Sequence, residues 1–366
     1  MENMGIILAT KEFWTNKKVF ITGHTGFKGS WLSLLLHRLG AEIYGYSLDP
    51  PTDPSLYESA RIDELIDSTI GDIRDFDYLL ETLKRVKPEI VIHMAAQPLV
   101  RESYKNPRET YEVNVIGTVN LFDAVRYIPD VKAMLNITTD KCYENREWLW
   151  GYRENESLGG YDPYSNSKAC SELITASFRS SFFNPDISES TLALASARAG
   201  NVIGGGDWAE DRLIPDFFRA ILNGEKVRIR SPYAIRPWQF VLEPLNGYLL
   251  LAEKLFKKGS EYAEAWNFGP DDIEYKNVEW VIDTLCRLWG EDASFEIDKF
   301  PGPHETNFLK LDCSKSKTKL KWQPQWNVES ALRSIVEWNK AFVRNEDLRD
   351  MCFKQIELYY SSAEID

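Results

Sequence analysis

Three glycines at intervals of three residues constrain the fold of this chain more than any other feature. Gly23, Gly26 and Gly29 stand in TGHTGFKG, directly after the apolar run VFIT and at the start of the apolar-periodic stretch SWLSLLLHRLG. Glycine permits a tight turn and a close approach of the backbone to a pyrophosphate, whose charge then lies at the positive end of the helix. A second apolar run, EIYGYSL, follows, so the segment predicts a β-α-β unit with a dinucleotide site. The spacing differs from G-x-G-x-x-G, which leaves an ordinary glycine-rich turn as the alternative.

Further buried-strand patterns alternate with helical ones, which predicts an α/β fold with a doubly wound, Rossmann-like parallel sheet. The strand patterns are Ile90–Met94, Ala133–Ile137 and Thr191–Ala197, and the helical ones are Tyr111–Arg126 and Ser165–Arg179. After about residue 200 the chain becomes rich in Gly, Pro and Trp, with helical patterns only at Leu245–Lys257 and Asn277–Leu288. We therefore expect residues 1–200 to form a dinucleotide-binding domain. Residues 201–366 are expected to form mainly a smaller substrate lobe, with some later segments returning to the first domain.

The composition excludes several classes of protein. The 366 residues carry 43 Lys and Arg against 56 Asp and Glu, a net charge of −13, which disfavours nucleic acid and anionic membranes as partners. No signal-peptide pattern and no spanning apolar run occur. The 5 cysteines are widely spaced and form no C-x-x-C pair, so we expect reduced thiols and a cytoplasmic protein. No cluster has metal-ligand spacing, so no metal is predicted.

Other residues near the ends of the predicted strands extend the dinucleotide site. An acid at the end of the second strand usually holds the adenosine ribose of NAD. Ser47 occupies that place and Asp49 lies slightly later, while no Arg follows to hold the 2′-phosphate of NADP, so NAD is the predicted cofactor. The other residues predicted to contact it stand in the glycine turn and at two later strand ends: Thr25, Phe27, Lys28, Asp72, Ile73, Ala95, Ala96 and Gln97.

A set of hydroxyl, carboxyl and amine side chains predicts the catalytic centre. Thr139, Asp140 and Lys141 follow the strand AMLNI, and Tyr164 and Lys168 stand in YSNSK at the start of a helix. Residues four apart share one helix face, so an ammonium at Lys168 is expected to lower the pKa of the Tyr164 phenol and make it a usable base. A Y-x-x-x-K pair alone is common. Its position after the glycine turn and the strand-end threonine makes chance a poor explanation.

In these motifs the chain resembles the extended short-chain dehydrogenases/reductases, in their nucleotide-sugar-modifying branch, from Lys18 to about Leu332. Long segments are most similar to the 4,6-dehydratases that act on CDP-glucose: TGHTGFKGSWL, HMAAQPLVRESY, TDKCYENREW, GYDPYSNSKACSEL, RAGNVIGGGDWA and IRPWQFVLEPL. The resemblance implies an NAD-dependent enzyme that forms a 4-keto-6-deoxy sugar. It also implies a homodimer through the helices near Tyr111–Arg126 and Ser165–Arg179, and a place in the synthesis of deoxysugars for bacterial surface polysaccharide such as O-antigen.

The same resemblance implies roles for the catalytic residues. Tyr164 removes the proton of the sugar 4-hydroxyl while C4 gives hydride to NAD, Lys168 reaches the nicotinamide ribose, and Thr139 hydrogen-bonds the 4-oxygen. Asp140 then protonates the departing 6-hydroxyl, and hydride returns to C6.

Lys141 departs from the dTDP-glucose 4,6-dehydratases, which carry Glu at this position as the base for C5. A lysine there either is neutral through desolvation or acts as an electrostatic clamp, so the C5 base stays open. The CDP-glucose group also reads Asp-Lys, which agrees with the narrower resemblance.

Several residues match family segments that hold the nucleotide diphosphate or shape the active site. Arg236 is the strongest candidate for a phosphate contact, since a guanidinium offers forked donors. The others are Asn114, Asn201, Arg212, Leu213 and His304. The identity of the nucleotide base rests on the resemblance alone, because the bases differ by a few hydrogen bonds from loops.

Three other functions compete with this one. A nucleotide-sugar 4-epimerase uses the same Thr, Tyr and Lys but needs no acid at Asp140. A dehydratase that acts on dTDP-glucose or GDP-mannose is the second, and the GDP-mannose group carries Glu at the Asp140 position. A dinucleotide-binding sensor without catalysis is the third, and it is expected to lack the Tyr or the Lys.

Overall fold

A computed structural model of the chain describes residues 7–187, 191–290, 293–298 and 308–363. In these ranges the strands, in chain order, are β1 (Lys18–Thr22), β2 (Glu42–Ser47), β3 (Asp67–Ile70), β4 (Ile90–His93), β5 (Ala133–Ile137), β6 (Ala193–Ala199), β7 (Val202–Ile203), β8 (Val227–Ile229), β9 (Ile235–Arg236), β10 (Gln239–Phe240), β11 (Ala265–Phe268), β12 (Lys276–Asn277) and β13 (Phe295–Ile297).

The α-helices of the described residues follow the same chain order: α1 (Lys11–Trp14), α2 (Phe27–Arg38), α3 (Leu56–Ser59), α4 (Phe76–Val86), α5 (Val100–Lys105), α6 (Pro107–Tyr111), α7 (Gly117–Val125), α8 (Pro163–Ser181), α9 (Leu213–Leu222), α10 (Leu242–Lys258), α11 (Val278–Trp289), α12 (Val328–Val343) and α13 (Leu348–Ser362). A π-helical segment, Glu112–Ile116, joins α6 to α7.

Seven parallel strands form the central sheet in the order β11-β6-β5-β4-β1-β2-β3. The chain runs outward from β1 through β2 to β3, and then from β4 in the opposite direction through β5 and β6. In such a sheet the crevice beyond the carboxyl ends of the two central strands is the usual place for a ligand. This topology confirms the predicted doubly wound, Rossmann-like fold.

The buried strand patterns locate most of the sheet correctly. β4 and β5 are buried on both faces, as a parallel sheet covered by helices requires. The predicted Thr191–Ala197 strand is observed two residues later, as β6. β3 was not predicted, because this strand has only four residues, DSTI. They are mostly polar, and none of them is fully buried.

The part of the chain after residue 200 is more helical than predicted. Besides α10 and α11, which match the predicted patterns, it contains α9, α12 and α13. The side chains of Asn327 and Asp347 cap the last two helices by accepting from backbone N–H groups three residues later. These caps, followed by apolar residues at helical spacing, are the signal that could have identified both helices.

The later segments pack against the sheet rather than forming a separate body. β11 pairs with β6 at one edge of the sheet, and α10 packs on β5 and β6. Ala9 N donates to Asn246 Oδ1 at 2.9 Å, and Tyr360 O–H donates to the Ala9 carbonyl at 3.1 Å. One continuous core cluster therefore includes Trp31 of α2 as well as Trp338 of α12.

The five cysteines are all free thiols, and Cys142, Cys313 and Cys352 are buried. Among the helices in the described residues, none combines the length and the apolar character needed to span a bilayer.

Candidate active site

The glycine turn lies in the central crevice, between β1 and α2. Gly23 has φ +79°, and a Cβ there would lie 2.7 Å from Ala95 N, beyond the end of β4. A Cβ at Gly29 would lie 2.1 Å from the Gly23 carbonyl oxygen, so both positions require glycine for the turn itself. At Gly26, which precedes α2, a Cβ would meet only that oxygen, at 3.5 Å. Packing within the chain therefore does not require glycine at this helix N-terminus. A glycine here fits a position where a pyrophosphate approaches the backbone closely.

The residues predicted to meet the adenosine half surround the ends of β2 and β3. The Thr25 hydroxyl donates to the Leu48 carbonyl at 2.9 Å and lies 2.8 Å from Ser47 Oγ, which ties the glycine turn to β2. Asp49 is exposed and lines a surface cavity of about 550 Å³. Arg74 binds the Asp72 carboxylate at 2.6 to 3.0 Å and lowers its pKa. Asp72 is therefore ionised and already holds a partner.

Asn114 connects the segment after β4 to the helix that carries Tyr164. Its Oδ1 accepts from Gln97 N at 2.8 Å, and its Nδ2 donates to the Gln97 carbonyl at 3.0 Å and to Ser167 Oγ at 2.9 Å. Asn114 lies in the π-helical segment and is buried, and such segments are frequent at functional sites. These bonds make it a positioning residue for the Ala95, Ala96 and Gln97 segment.

The five predicted catalytic residues come together at the carboxyl end of β5. Asp162 caps α8 by accepting from Ser165 N at 2.9 Å, and Pro163 occupies the first turn, which places Tyr164 at the helix start. Thr139 Oγ1 donates to Asp140 Oδ1 at 3.0 Å, and the Thr139 hydroxyl acts to lower the pKa of the Tyr164 phenol. Lys168 Nζ donates to the Ile137 carbonyl at 3.2 Å. Lys141 is partly exposed next to this group.

Burial dominates the acid-base properties of this group and corrects the expected effect of Lys168 on Tyr164. The pKa of the Tyr164 phenol is raised to about 12 by burial, with Thr139 and the charge of Arg212 opposing the rise. The pKa of Lys168 falls to about 7, mainly because of burial and then because of the charge of Lys28. The expected lowering of the phenol pKa by an ammonium four residues away is not found, since burial disfavours the charged forms of both groups.

The half-buried Lys28 belongs to this charged group as well as to the glycine turn. Burial lowers its pKa to about 8, with the charge of Arg212 acting in the same direction and those of Asp140 and Asp207 opposing it. Arg212 donates to Asp207 Oδ2 at 2.9 Å. The predicted phosphate ligand Arg212 therefore lies among the catalytic residues rather than apart from them.

Asp140 is 2% exposed, and burial raises its pKa although Lys141 and Arg236 lie near enough to oppose the rise. Its Oδ2 has no hydrogen-bond partner within the described part of the chain. Gly200 lines this side, because a Cβ there would approach Asp140 Oδ2 to 3.0 Å and Pro237 to 2.3 Å. Asp140 thus has one buried carboxyl oxygen without a partner, and the close approach of Gly200 and Pro237 on this side requires glycine at position 200.

A buried ion pair behind the catalytic residues was not predicted from the sequence. Arg198 Nη2 of β6 donates to Glu172 Oε2 of α8 at 2.7 Å, and the side chains are 3% and 2% exposed. Glu172 also accepts from Ser196 Oγ at 2.7 Å and from Thr138 Oγ1. Glu172 stands four residues after Lys168, so it lies on the same face of α8 as Tyr164 and Lys168. This helical spacing is the sequence signal that could have identified Glu172.

The remaining substrate candidates lie on the β6 to β9 side. Asn201 follows β6, and its carbonyl accepts from Gln239 N at 3.0 Å. Leu213 begins α9, and Arg236 ends β9 with its charge acting on Asp140. His304 lies outside the described residues. Within the described ranges, no three His, Cys, Asp or Glu side chains are grouped so as to hold a metal ion.

The family follows from comparison with known proteins. The family model described as GDP-mannose 4,6 dehydratase matches residues 20–335. The chain belongs to this family of nucleotide-sugar 4,6-dehydratases. Among its members, the CDP-glucose 4,6-dehydratase of Salmonella typhimurium is 56% identical over 354 residues, covering 96% of this chain and 99% of the relative. The dTDP-glucose 4,6-dehydratase of Xanthomonas campestris is 26% identical, covering 87% of this chain and 92% of the relative.

Solved structures share the fold of this family member at lower identity. DesIV, a dTDP-glucose 4,6-dehydratase from Streptomyces venezuelae solved with NAD, superposes with TM-score 0.77 at 21% identity, covering 90% of this chain and 99% of DesIV. UDP-glucose 4-epimerase from Thermotoga maritima gives TM-score 0.77 at 23% identity, covering 89% of this chain and 99% of the epimerase. Dehydratases and epimerases share this fold, so the chemistry must be decided at the site.

Proposed function

We propose that the protein is an NAD-dependent CDP-glucose 4,6-dehydratase, a hydro-lyase that forms CDP-4-keto-6-deoxyglucose. The observation that carries this function is Asp140, a buried carboxyl beside Tyr164 with a raised pKa and one oxygen that has no hydrogen-bond partner among the described residues. A 4-epimerase needs no such acid, whereas a dehydratase must protonate a departing hydroxyl. The 56% identity to a CDP-glucose 4,6-dehydratase supports the choice of substrate.

The crevice fits NAD. Bare Gly26 at the start of α2 offers the positive helix end to a pyrophosphate, and Tyr164 and Lys168 lie at the far end of the same crevice. Bound there, NAD would supply the redox chemistry of the reaction, a hydride acceptor for C4 and a hydride donor for C6. The residues proposed to hold it are Gly23, Thr25, Gly26, Phe27, Lys28, Gly29, Asp49, Asp72, Ile73, Ala95, Ala96, Gln97, Tyr164 and Lys168.

The chain's own residues then move protons. Tyr164 as phenolate takes the proton of the sugar 4-hydroxyl, and Thr139 hydrogen-bonds the 4-oxygen. The resulting C4 ketone makes the C5 proton acidic. Asp140 protonates the 6-hydroxyl through its free oxygen, and water leaves as a double bond forms between C5 and C6.

We propose Lys141 as the base that removes the C5 proton, because it adjoins Asp140 in the chain and is partly exposed. A neutral lysine amine is a competent base. An electrostatic clamp is the other role open to Lys141.

The substrate side is proposed to lie mainly in residues 201–366, facing the NAD-binding part formed by residues 1–200. Arg236 and Arg212 supply cations for the diphosphate, with Asn201 and Leu213 beside it and Asn114 supporting the site from α7's N-terminal side. His304, outside the described residues, stays a prediction from the sequence. Both arginines act electrostatically on catalytic groups, Arg236 on Asp140 and Arg212 on Tyr164. Their proximity supports a diphosphate placed next to the sugar.

We propose a homodimer assembled through α8 and the helix formed by α6, the π-helical segment and α7. Ile116 and Leu173 support this surface, since they are 51% and 59% exposed although both are apolar. The free thiols agree with a reducing cytoplasm. The product suits the synthesis of deoxysugars for O-antigen in lipopolysaccharide.

The function is tested by incubating the protein with NAD and, separately, CDP-glucose, dTDP-glucose, UDP-glucose and GDP-mannose in deuterium oxide. Loss of water with deuterium gained at C5, for CDP-glucose only, is the expected mass change. Inversion at C4 without a mass loss contradicts dehydration and indicates an epimerase. No reaction with any of the four sugars contradicts the function. Tyr164→Phe is the matched control and is expected to abolish turnover while keeping the unfolding transition.

A further inference from the structure

A buried histidine lies between the glycine turn and α7, and the proposed mechanism does not use it. His93 is the last residue of β4 and is 2% exposed. Its Nδ1 lies 2.7 Å from the hydroxyl of Thr22, the last residue of β1, and its Nε2 lies 3.1 Å from the hydroxyl of Thr118 in α7. Burial lowers the pKa of His93 to about 3, so the ring is neutral and carries a single N–H.

The Thr118 hydroxyl decides which ring nitrogen carries that hydrogen. Thr118 Oγ1 lies 2.7 Å from the Asn114 carbonyl oxygen, which can only accept, so Thr118 donates its one hydrogen there. No hydrogen remains at Thr118 for the ring, and the hydrogen of the 3.1 Å contact therefore comes from His93 Nε2. His93 Nδ1 is then bare and accepts from the Thr22 hydroxyl.

The Thr22 hydroxyl in turn holds the backbone that follows β4. Its oxygen accepts from Met94 N at 3.1 Å and from Ala95 N at 3.2 Å. A hydrogen on His93 Nδ1, in the opposite tautomer or in a charged ring, would bring three N–H donors to the two lone pairs of Thr22 Oγ1. One of the two backbone N–H groups would then lose this acceptor. The contacts at both ring nitrogens thus require the same tautomer.

Both ends of the segment proposed to contact NAD are held from this ring. At one end, Ala95 borders the glycine turn, since a Cβ at Gly23 would lie 2.7 Å from Ala95 N. At the other end, the Asn114 side chain binds both the N–H and the carbonyl of Gln97. Because Thr118 donates to the Asn114 carbonyl, one ring connects the supports of both ends.

We infer that His93, as a neutral ring with its hydrogen on Nε2, is a positioning residue for NAD. It orients the Thr22 hydroxyl, which fixes the backbone of Ala95 beside the glycine turn. The inference rests on the proposed use of NAD.

The first test measures the tautomer in protein labelled with ¹⁵N-histidine. The chain has 4 histidines, and the ring signals of His93 are identified by their absence in His93→Gln. Long-range ¹H–¹⁵N spectra of the wild type are expected to show a neutral ring with its hydrogen on Nε2. A hydrogen on Nδ1 overturns the inference.

The second test measures NAD binding by titration calorimetry after any bound nucleotide is removed. Thr22→Val keeps the shape of the side chain and removes the hydroxyl, whereas Thr22→Ser keeps a hydroxyl. The dissociation constant for NAD is expected to rise about tenfold in Thr22→Val, the equivalent of one net hydrogen bond, and to stay within about threefold of wild type in Thr22→Ser.

Thr82→Val is the matched control. Thr82 is 3% exposed, and its hydroxyl donates at 2.8 Å to the Tyr78 carbonyl within α4. This variant is expected to lower the urea midpoint of unfolding without weakening NAD binding. An equal loss of NAD affinity in Thr82→Val would show a general effect of stability and overturn the inference.

Unchanged NAD affinity in Thr22→Val, or an equal loss in Thr22→Ser, would also overturn it. If Thr22→Val does not fold, as judged by its urea transition, Thr22→Ala is titrated in its place and judged by the same outcomes. Failure of the wild type to bind NAD or to release water from CDP-glucose refutes the proposed function instead. The tautomer is measured without either ligand, so the two failures are distinguishable.

Discussion

Replacement of Glu172 by Gln removes the charge from one partner of a buried ion pair while nearly preserving its shape. Glu172 accepts from Arg198, Ser196 and Thr138, and its side chain is 2% exposed. In Glu172→Gln an amide NH₂ must face one of these donors, and the Arg198 guanidinium loses its counter-charge in a site with almost no solvent. We therefore expect a large loss of stability.

The size of the loss follows from the burial of both partners. Removing one partner of a buried ion pair costs about 3–5 kcal/mol because the remaining charge is left uncompensated. An unfolding entropy of about 2.1 cal/mol/K per residue converts 4 kcal/mol into a fall of roughly 5 °C in Tm for a cooperatively unfolding chain of 366 residues. Urea unfolding followed by tryptophan fluorescence and a calorimetric scan measure both quantities.

An exposed pair provides the matched control. Arg228 and Glu296 lie 3.0 Å apart with side chains 75% and 49% exposed, so Glu296→Gln is expected to change stability by less than about 1 kcal/mol. In a double-mutant cycle, Glu172→Gln combined with Arg198→Met is expected to cost less than the sum of the single changes, by about 0.5–3 kcal/mol. A loss below about 1 kcal/mol in Glu172→Gln, or strict additivity, would refute the reasoning.

Four further outcomes are expected. Asp140→Asn slows elimination more than oxidation, so the absorbance of reduced nicotinamide accumulates; equal slowing of both steps would remove its role as the acid. Lys141→Ala abolishes exchange of the C5 proton with deuterium oxide, and unchanged exchange excludes lysine as the base. Burial raises the pKa of Glu243 from 4.5 to about 7, so its stabilising contribution, complete below pH 4.5, is lost as the pH rises through 7. Glu243→Gln should remove this pH dependence, which amounts to roughly 3 kcal/mol of unfolding free energy across that window. An unchanged slope of the unfolding free energy against pH contradicts this. Leu173→Arg gives a monomer in sedimentation experiments, while Leu358→Arg, at another exposed leucine, leaves the assembly unchanged; a dimer in both contradicts the surface.

The elements that the sequence predicted correctly are those whose signals are local. The glycine turn, β4, β5 and α8 each carry their pattern within a few residues, and the spacing of Tyr164 and Lys168 places both on one helix face. β3 was missed because a short half-buried strand at the sheet edge lacks that pattern. The helices α12 and α13 were missed although Asn327 and Asp347 mark their starts.

The electrostatics of the site depended on contacts between residues far apart in the chain. Arg198 donates to Glu172, which lies 26 residues earlier in the chain. Glycine is needed at position 200 because Pro237 and Asp140 leave no room for a Cβ there. The expected depression of the Tyr164 pKa by Lys168 was wrong for the same reason. How deeply two neighbouring groups are buried is decided by what packs over them, and here burial raises the pKa of Tyr164 and lowers that of Lys168.

By itself, the sequence determined the class of fold, the place of the dinucleotide turn and the candidates for the reacting groups, because turn geometry, strand burial and helical spacing act over short stretches of chain. Only the tertiary structure decided the surroundings of those groups. It placed the Thr139 hydroxyl on Asp140 Oδ1, left Asp140 Oδ2 without a partner among the described residues, and buried Thr139, Asp140 and Tyr164. The physical reason is that the cost of a buried charge depends on the complete surroundings of an atom, which segments from the whole chain supply.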